Sequence, residues 1–151
     1  MMRYVMTLSA VLMMAFHLSA QTPVEEVISR YESVAGARSY VAKGIGMIVA
    51  RPLIKATDVA PIASDVEELA VLKMAGASSS DRLEFVASLN AALGKYSFYG
   101  RRPSKNGELD IYVHYTGPEA IDELVIYNPS IYSLNSLYGD FTEKQLLALD
   151  K

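Results

Sequence analysis

Cysteine is missing altogether from the 151 residues, and histidine occurs only twice. The first absence excludes a disulfide framework, a thiol nucleophile and the thiol that a bacterial lipid anchor needs. The second leaves His114 as the one imidazole beyond residue 17, too few for a His-rich zinc site or a zincin helix. Basic residues are not abundant either: 14 Lys and Arg stand against 17 Asp and Glu, a net charge of −3. No clustered basic surface is visible along the chain, so neither nucleic acid nor an anionic membrane is expected as a partner. The isolated Arg101-Arg102 pair falls near a hairpin tip, where solvated charge explains it. Gly94-Lys95 is followed by Tyr96 rather than Ser or Thr, which removes support for a phosphate loop. Ser78-Ser79-Ser80 lacks the G-x-S-x-G frame of a nucleophile elbow and reads as a helix cap. No cofactor is expected.

Long apolar runs are also lacking, except for the first. Residues 1–16, MMRYVMTLSAVLMMAF, carry a single charge, Arg3, and then about a dozen apolar or small residues. His17 breaks the run before the roughly 18 apolar residues that a membrane span requires, and Leu18-Ser19-Ala20 approximates a small-residue cleavage site. Residues 1–20 therefore read as a signal peptide cut near Ala20, although Leu18 is larger than the usual pattern wants. A buried N-terminal helix or an uncleaved anchor is the competing reading. Removal implies a mature chain of residues 21–151 with no integral membrane span, periplasmic or secreted. That length suffices for one domain with an ordinary core, burying somewhat over 60% of its unfolded surface.

Beyond the leader, helical and strand patterns succeed one another. Thr22-Pro23-Val24-Glu25 has the form of a capping box with Pro at the first helical position. Val24, Val27, Ile28, Tyr31, Val34 and Ala35 then fall on one helical stripe closed by Gly36. Strands are expected at 39–43 and 69–74, a helix at 81–93, strands at 121–127 and 131–138, and a terminal helix at 143–149 behind Gly139-Asp140-Phe141-Thr142. Residues 44–62 are hard to read; Pro52 and Pro61 limit them to one or two short helical pieces. The sharpest long-range signal is the hairpin 96–115. Asn106-Gly107 is the preferred type I′ dipeptide, which pairs Lys105 with Glu108, Arg101 with Tyr112 and Tyr99 with His114. In that register Phe98 faces Tyr115 on the opposite, apolar side with Leu109, Ile111 and Val113. The fold class expected is α+β: an antiparallel sheet of roughly four to six strands with helices packed on one face.

These features together resemble a small secreted family of Bacteroidetes bacteria known only as a domain of unknown function. The residues that carry the resemblance are the early amphipathic helix, the Tyr-rich hairpin, the strand containing Glu123-Leu124-Val125 and the closing Gly139-Asp140-Phe141-Thr142. The resemblance implies a cell-envelope address and a binding or regulatory role, and it lends no catalytic residues. Many relatives resemble lipoproteins, whereas this chain has no cysteine to lipidate.

Seven of the ten tyrosines lie between residues 96 and 138. A tyrosine ring with its polar tip suits partner surfaces and sugar stacking, although tyrosine is also simply a good strand former. Tyr99, Arg101, Tyr112 and His114 are the candidate contact surface. As a general base His114 would need an orienting carboxylate, and Asp110 is the local candidate. Asp65, Glu67 and Glu68 form the densest acidic group and Asp122-Glu123 the next. Such pairs can hydrolyse glycosides across a cleft, but at element ends they are usually solvated. The leading expectation is a non-enzymatic envelope protein that binds a protein or small ligand through its Tyr-rich sheet face. The alternatives are a small hydrolase built on acidic residues or His114, and a structural component that self-associates.

Overall fold

The computed structural model describes residues 21–57 and 59–148; the expected signal peptide, 1–20, lies outside the described residues. Helix α1 (Pro23–Tyr31) starts where the capping pattern places it, the Thr22 hydroxyl oxygen accepting from the Glu25 amide at 3.2 Å. It ends at Tyr31, short of the expected stripe, and Gly36 (φ +85°) turns the chain into β1 (Arg38–Lys43). Helix α2 (Gly46–Lys55), a 3-10 helix (Ala60–Asp65) and β2 (Val66–Lys73) come next. The two short helical pieces are those anticipated around Pro52 and Pro61. Pro52 sits inside α2, where it cannot donate to the carbonyl of the exposed residue Ile48.

Helix α3 (Ser79–Leu93) begins at the serine run, Ser78 accepting from the Asp81 amide at 3.2 Å. Then come β3 (Ser97–Ser104), β4 (Gly107–Tyr115), β5 (Ala120–Asn128), β6 (Ser133–Thr142) and α4 (Glu143–Leu147), the last opened by a complete capping box between Thr142 and Gln145. The fold is α+β, with one six-stranded antiparallel sheet in the order β1-β2-β6-β5-β4-β3.

The helices cover both faces of this sheet, not one. On the first face α1 and α3 pack Val27, Ile28, Phe85 and Leu89 against Ala70, Leu72, Val125, Tyr127 and Leu134. Phe85 meets Tyr31 and Tyr127 edge-on at 5.8 and 6.1 Å between ring centres. On the second face α2, the 3-10 helix and α4 set Met47, Ala50, Ile54, Ile62 and Leu146 over Leu69, Val113, Leu124, Ile126, Leu137 and Phe141. The reason lies in β5, whose residues Glu123 to Asn128 are buried without interruption. Two-sided burial produces a continuous apolar run instead of alternation. Each fully buried Leu or Ile contributes about 1.5–3 kcal/mol.

The hairpin departs from its expected register. Ser104 pairs with Gly107, so the turn residues are Lys105 and Asn106, one position earlier than Asn106-Gly107. Only Gly107 has positive φ, +115°, whereas a type I′ turn needs it at both central residues; the geometry is a type I turn followed by a glycine in the bulge position. Arg101 consequently faces Asp110 rather than Tyr112, and a second irregularity between Phe98 and Gly100 turns the strand once more. The result exchanges two aromatic residues. Phe98 pairs with Tyr112 on the first face, and Tyr99 packs with Leu109 and Tyr115 on the second.

Candidate functional site

The first face, beyond the ends of α1 and α3, gathers most of the titratable side chains of the sheet. At its centre is Glu123 on β5, 1% exposed, the most deeply buried carboxylate among the described residues. Its oxygens accept three hydroxyl hydrogen bonds: from Tyr96 at 2.6 Å, from Ser136 at 2.7 Å and from Thr22 at 2.9 Å. Short charge-assisted bonds of this kind are about twice as strong as neutral ones. They hold the carboxylate's protonation down, yet burial outweighs them and Glu123 titrates above the usual carboxylate range. Burial also pushes the Tyr96 hydroxyl far up, aided by the negative charge of Glu123.

Glu25, on the first turn of α1, is raised to about 7, first by burial and then by the charges of Glu68 and Glu123, with Lys43 and Thr22 pulling the other way. The positive end of the α1 dipole opposes this rise as well. Glu25 borders a small polar crevice of about 90 Å³ with Gln21, Ser29, Lys43, Glu68 and Tyr138. Burial likewise raises the Tyr138 hydroxyl.

Toward β4 the network continues as His114, whose Nδ1 lies 2.7 Å from Asp122 Oδ1 and whose ring meets Tyr96 edge-on at 5.9 Å. Irregular pairing on both sides of β5, between His114 and Tyr115 and between Ile121 and Glu123, brings Asp122 to this histidine. The orienting carboxylate is therefore Asp122 and not Asp110. Asp110 instead holds Arg101, Nε to Oδ1 at 2.7 Å, with Glu108 at 3.5 Å. Both carboxylates raise the Arg101 guanidinium, the Asp110 hydrogen bond foremost.

At the edge, Phe98 is 55% exposed and stands edge-on to Tyr112, with 5.3 Å between ring centres. Burial, then the charge of Asp110, raises the Tyr112 hydroxyl. Of the four expected contact residues, the structure brings Arg101, Tyr112 and His114 to one face. It sends Tyr99 to the other, where the irregularity after Phe98 packs it against apolar neighbours. Phe98 takes the place expected of Tyr99.

Sequence reasoning misses Phe98, Tyr96, Glu25 and the burial of Glu123 as parts of this surface. The signal for Glu123 is its setting in the apolar run Leu124-Val125-Ile126-Tyr127, which a solvated acidic cluster would not adjoin. Chemically, the described polar groups are turned toward one another: the Glu123 hydroxyl donors, the His114–Asp122 pair and the Arg101–Asp110 pair. No group of His, Asp and Glu among the described residues is arranged to hold a metal ion. No helix among them is long and apolar enough to cross a membrane. No protein-family model, curated protein or solved structure matches the chain.

Proposed function

We propose that this chain is an exported, non-enzymatic binding module of the bacterial cell envelope whose partner protein docks on Phe98, Tyr112, Arg101 and His114. The observation that carries the reading is the half-exposed Phe98 ring standing against Tyr112, on an edge hairpin braced by the Arg101–Asp110 ion pair. Aromatic rings flanked by arginine are the residue types that concentrate binding energy at interfaces. The His114–Asp122 pair and the Glu123 network behind them supply rigidity, which limits the ordering cost of association. The export assignment rests on the leader, and the envelope address on the resemblance to the secreted Bacteroidetes family.

The test is capture from envelope extract with Phe98→Ser/Tyr112→Ser protein against wild type. The partner is expected to be lost by at least tenfold while the melting temperature stays within a few degrees. Undiminished capture by the double variant overturns this surface.

A further inference from the structure

The second face carries a different site. Its register arranges three cross-strand rows. The row nearest α2 is Ala42, Leu69, Leu137, Leu124 and Val113; the next is Tyr40, Val71, Asn135, Ile126 and Ile111; the outermost runs Arg38, Lys73, Ser133 and Asn128, with Arg102 beside Leu109 at the far edge. Helix α2 and the segment after it cover the first row and part of the second, burying Ile111 and Ile126 but leaving Tyr40 44% exposed. Between them and the second row lies a cleft of about 270 Å³, walled by Leu69, Leu109, Ile126 and Leu137 on the sheet and by Leu53 and Val59 opposite.

One polar side chain lines this apolar cleft, and a row of cations lies beyond it. Asn135 lines it, and among the described residues its side-chain amide has no hydrogen-bond partner. The outer row supplies three cations, Arg38, Lys73 and Arg102, and none of them is in an ion pair among the described residues. Glu68, Asp110 and Glu123 project from the other face, where Glu68 lies opposite Lys43, Asp110 opposite Arg101 and Glu123 opposite His114 and Tyr138. Lys73 lies one strand, roughly 5 Å, and two residues, roughly 7 Å, from Asn135, within reach of a lysine side chain, whereas Arg38 and Arg102 lie two and three strands away.

We propose that the cleft binds one long-chain carboxylate, its hydrocarbon tail between Leu53 and the sheet and its carboxylate on Asn135, with Lys73 of the neighbouring strand beside it. The cleft is below the roughly 300 Å³ at which sites for drug-sized ligands begin, which suits a single chain rather than a branched or ring ligand. A bilayer surface does not reach its floor, because α2 overhangs it with a helix about 10 Å across. A second copy would set the same three unpaired cations against one another. A neutral or cationic amphiphile leaves the cations unanswered.

Calorimetric titration of the purified protein with dodecanoate, below its micelle concentration, tests this. The expected result is saturable one-to-one binding, with dodecanol and dodecylammonium at least tenfold weaker. Leu109→Trp, which fills the upper wall, abolishes binding. Lys73→Glu weakens it at least tenfold. Asn135→Leu keeps the apolar volume, removes the amide and weakens dodecanoate more than dodecanol, so the test stands even where the tryptophan variant fails to fold by circular dichroism. Absence of saturable dodecanoate binding, equal binding of dodecylammonium, or wild-type binding by the charge-reversed variant overturns the proposal.

Discussion

Glu25 is the residue whose ionisation opposes the fold most plainly. Its pKa of about 7 in the folded chain lies above the ordinary 4.5 it has when unfolded, so the native state holds the proton more tightly. The stability this gives is fully present below pH 4.5 and is lost as pH rises through 7. Glu25→Gln, which cannot ionise, is therefore expected to raise stability by about 1–2 kcal/mol at pH 8, after allowing for the solvent that reaches the side chain, and to change it little at pH 4. Urea unfolding at the two pH values measures the difference; equal effects at both would contradict the raised pKa that burial, and then the charges of Glu68 and Glu123, give this side chain. The surroundings of Glu25 also explain why the site is only partly legible in the sequence. Thr22-x-x-Glu25 announces a helix start and nothing more, because a capping pattern is local. What Thr22 does across the fold, donating to a carboxylate on β5, depends on a contact that no sequence window contains.

Among elements, the hairpin and the helix junctions show which local signals hold. Asn106-Gly107 correctly locates a turn but not its type. The ion pair of Arg101 with Asp110 and Glu108 belongs to the register that is realised, and it competes with the dipeptide preference on the same short strands. One irregular residue then decides which aromatic ring meets solvent, since side-chain direction alternates and a single slip inverts it. Caps are more dependable. Ser78 and Thr142 both cap their helices as expected, because an N-cap is satisfied by its own next three residues. A tighter junction sits where the turn before β1 meets the turn before α3. A side chain on Gly36 would overlap the carbonyl of Gly76, and its φ of +85° disfavours any other residue. Gly36→Ala is expected to cost about 2–4 kcal/mol, read as a lower urea midpoint with unchanged slope, whereas Gly44→Ala, which would meet nothing within 4 Å, costs about 1 kcal/mol from backbone strain alone.

For the whole molecule, the mildly negative charge balance conceals a division that only the sheet exposes. Glu68, Glu108, Asp110 and Glu123 lie on the face of α1 and α3, and Arg38, Lys73 and Arg102, in no ion pair among the described residues, lie along the other. Averaged along the chain, opposite charges leave only −3, which is why composition gives no reason to expect a binding surface for an anion. The fold class is legible because strand runs and helix caps are each strong by themselves. The two-sided covering is not, because α2 in the second layer carries Ile48, Val49 and Leu53 exposed and Met47, Ala50 and Ile54 buried, so its apolar residues mark no single face.

The strand order also sets a timetable. β3 to β6 are joined as successive neighbours, but β2 has no partner on its inner side until β6 exists, Val71 lying opposite Asn135. Closing that long loop is a late step, since the entropy of joining distant segments must be spent before the contact rewards it. A nascent chain therefore exposes Leu69 and Leu72 until its last strand has been made. Leu72→Ala is accordingly expected to accelerate unfolding in stopped-flow measurements while leaving the refolding rate near that of the wild type. The N-terminal pair of strands is thus expected to dock late, which the Leu72→Ala kinetics check.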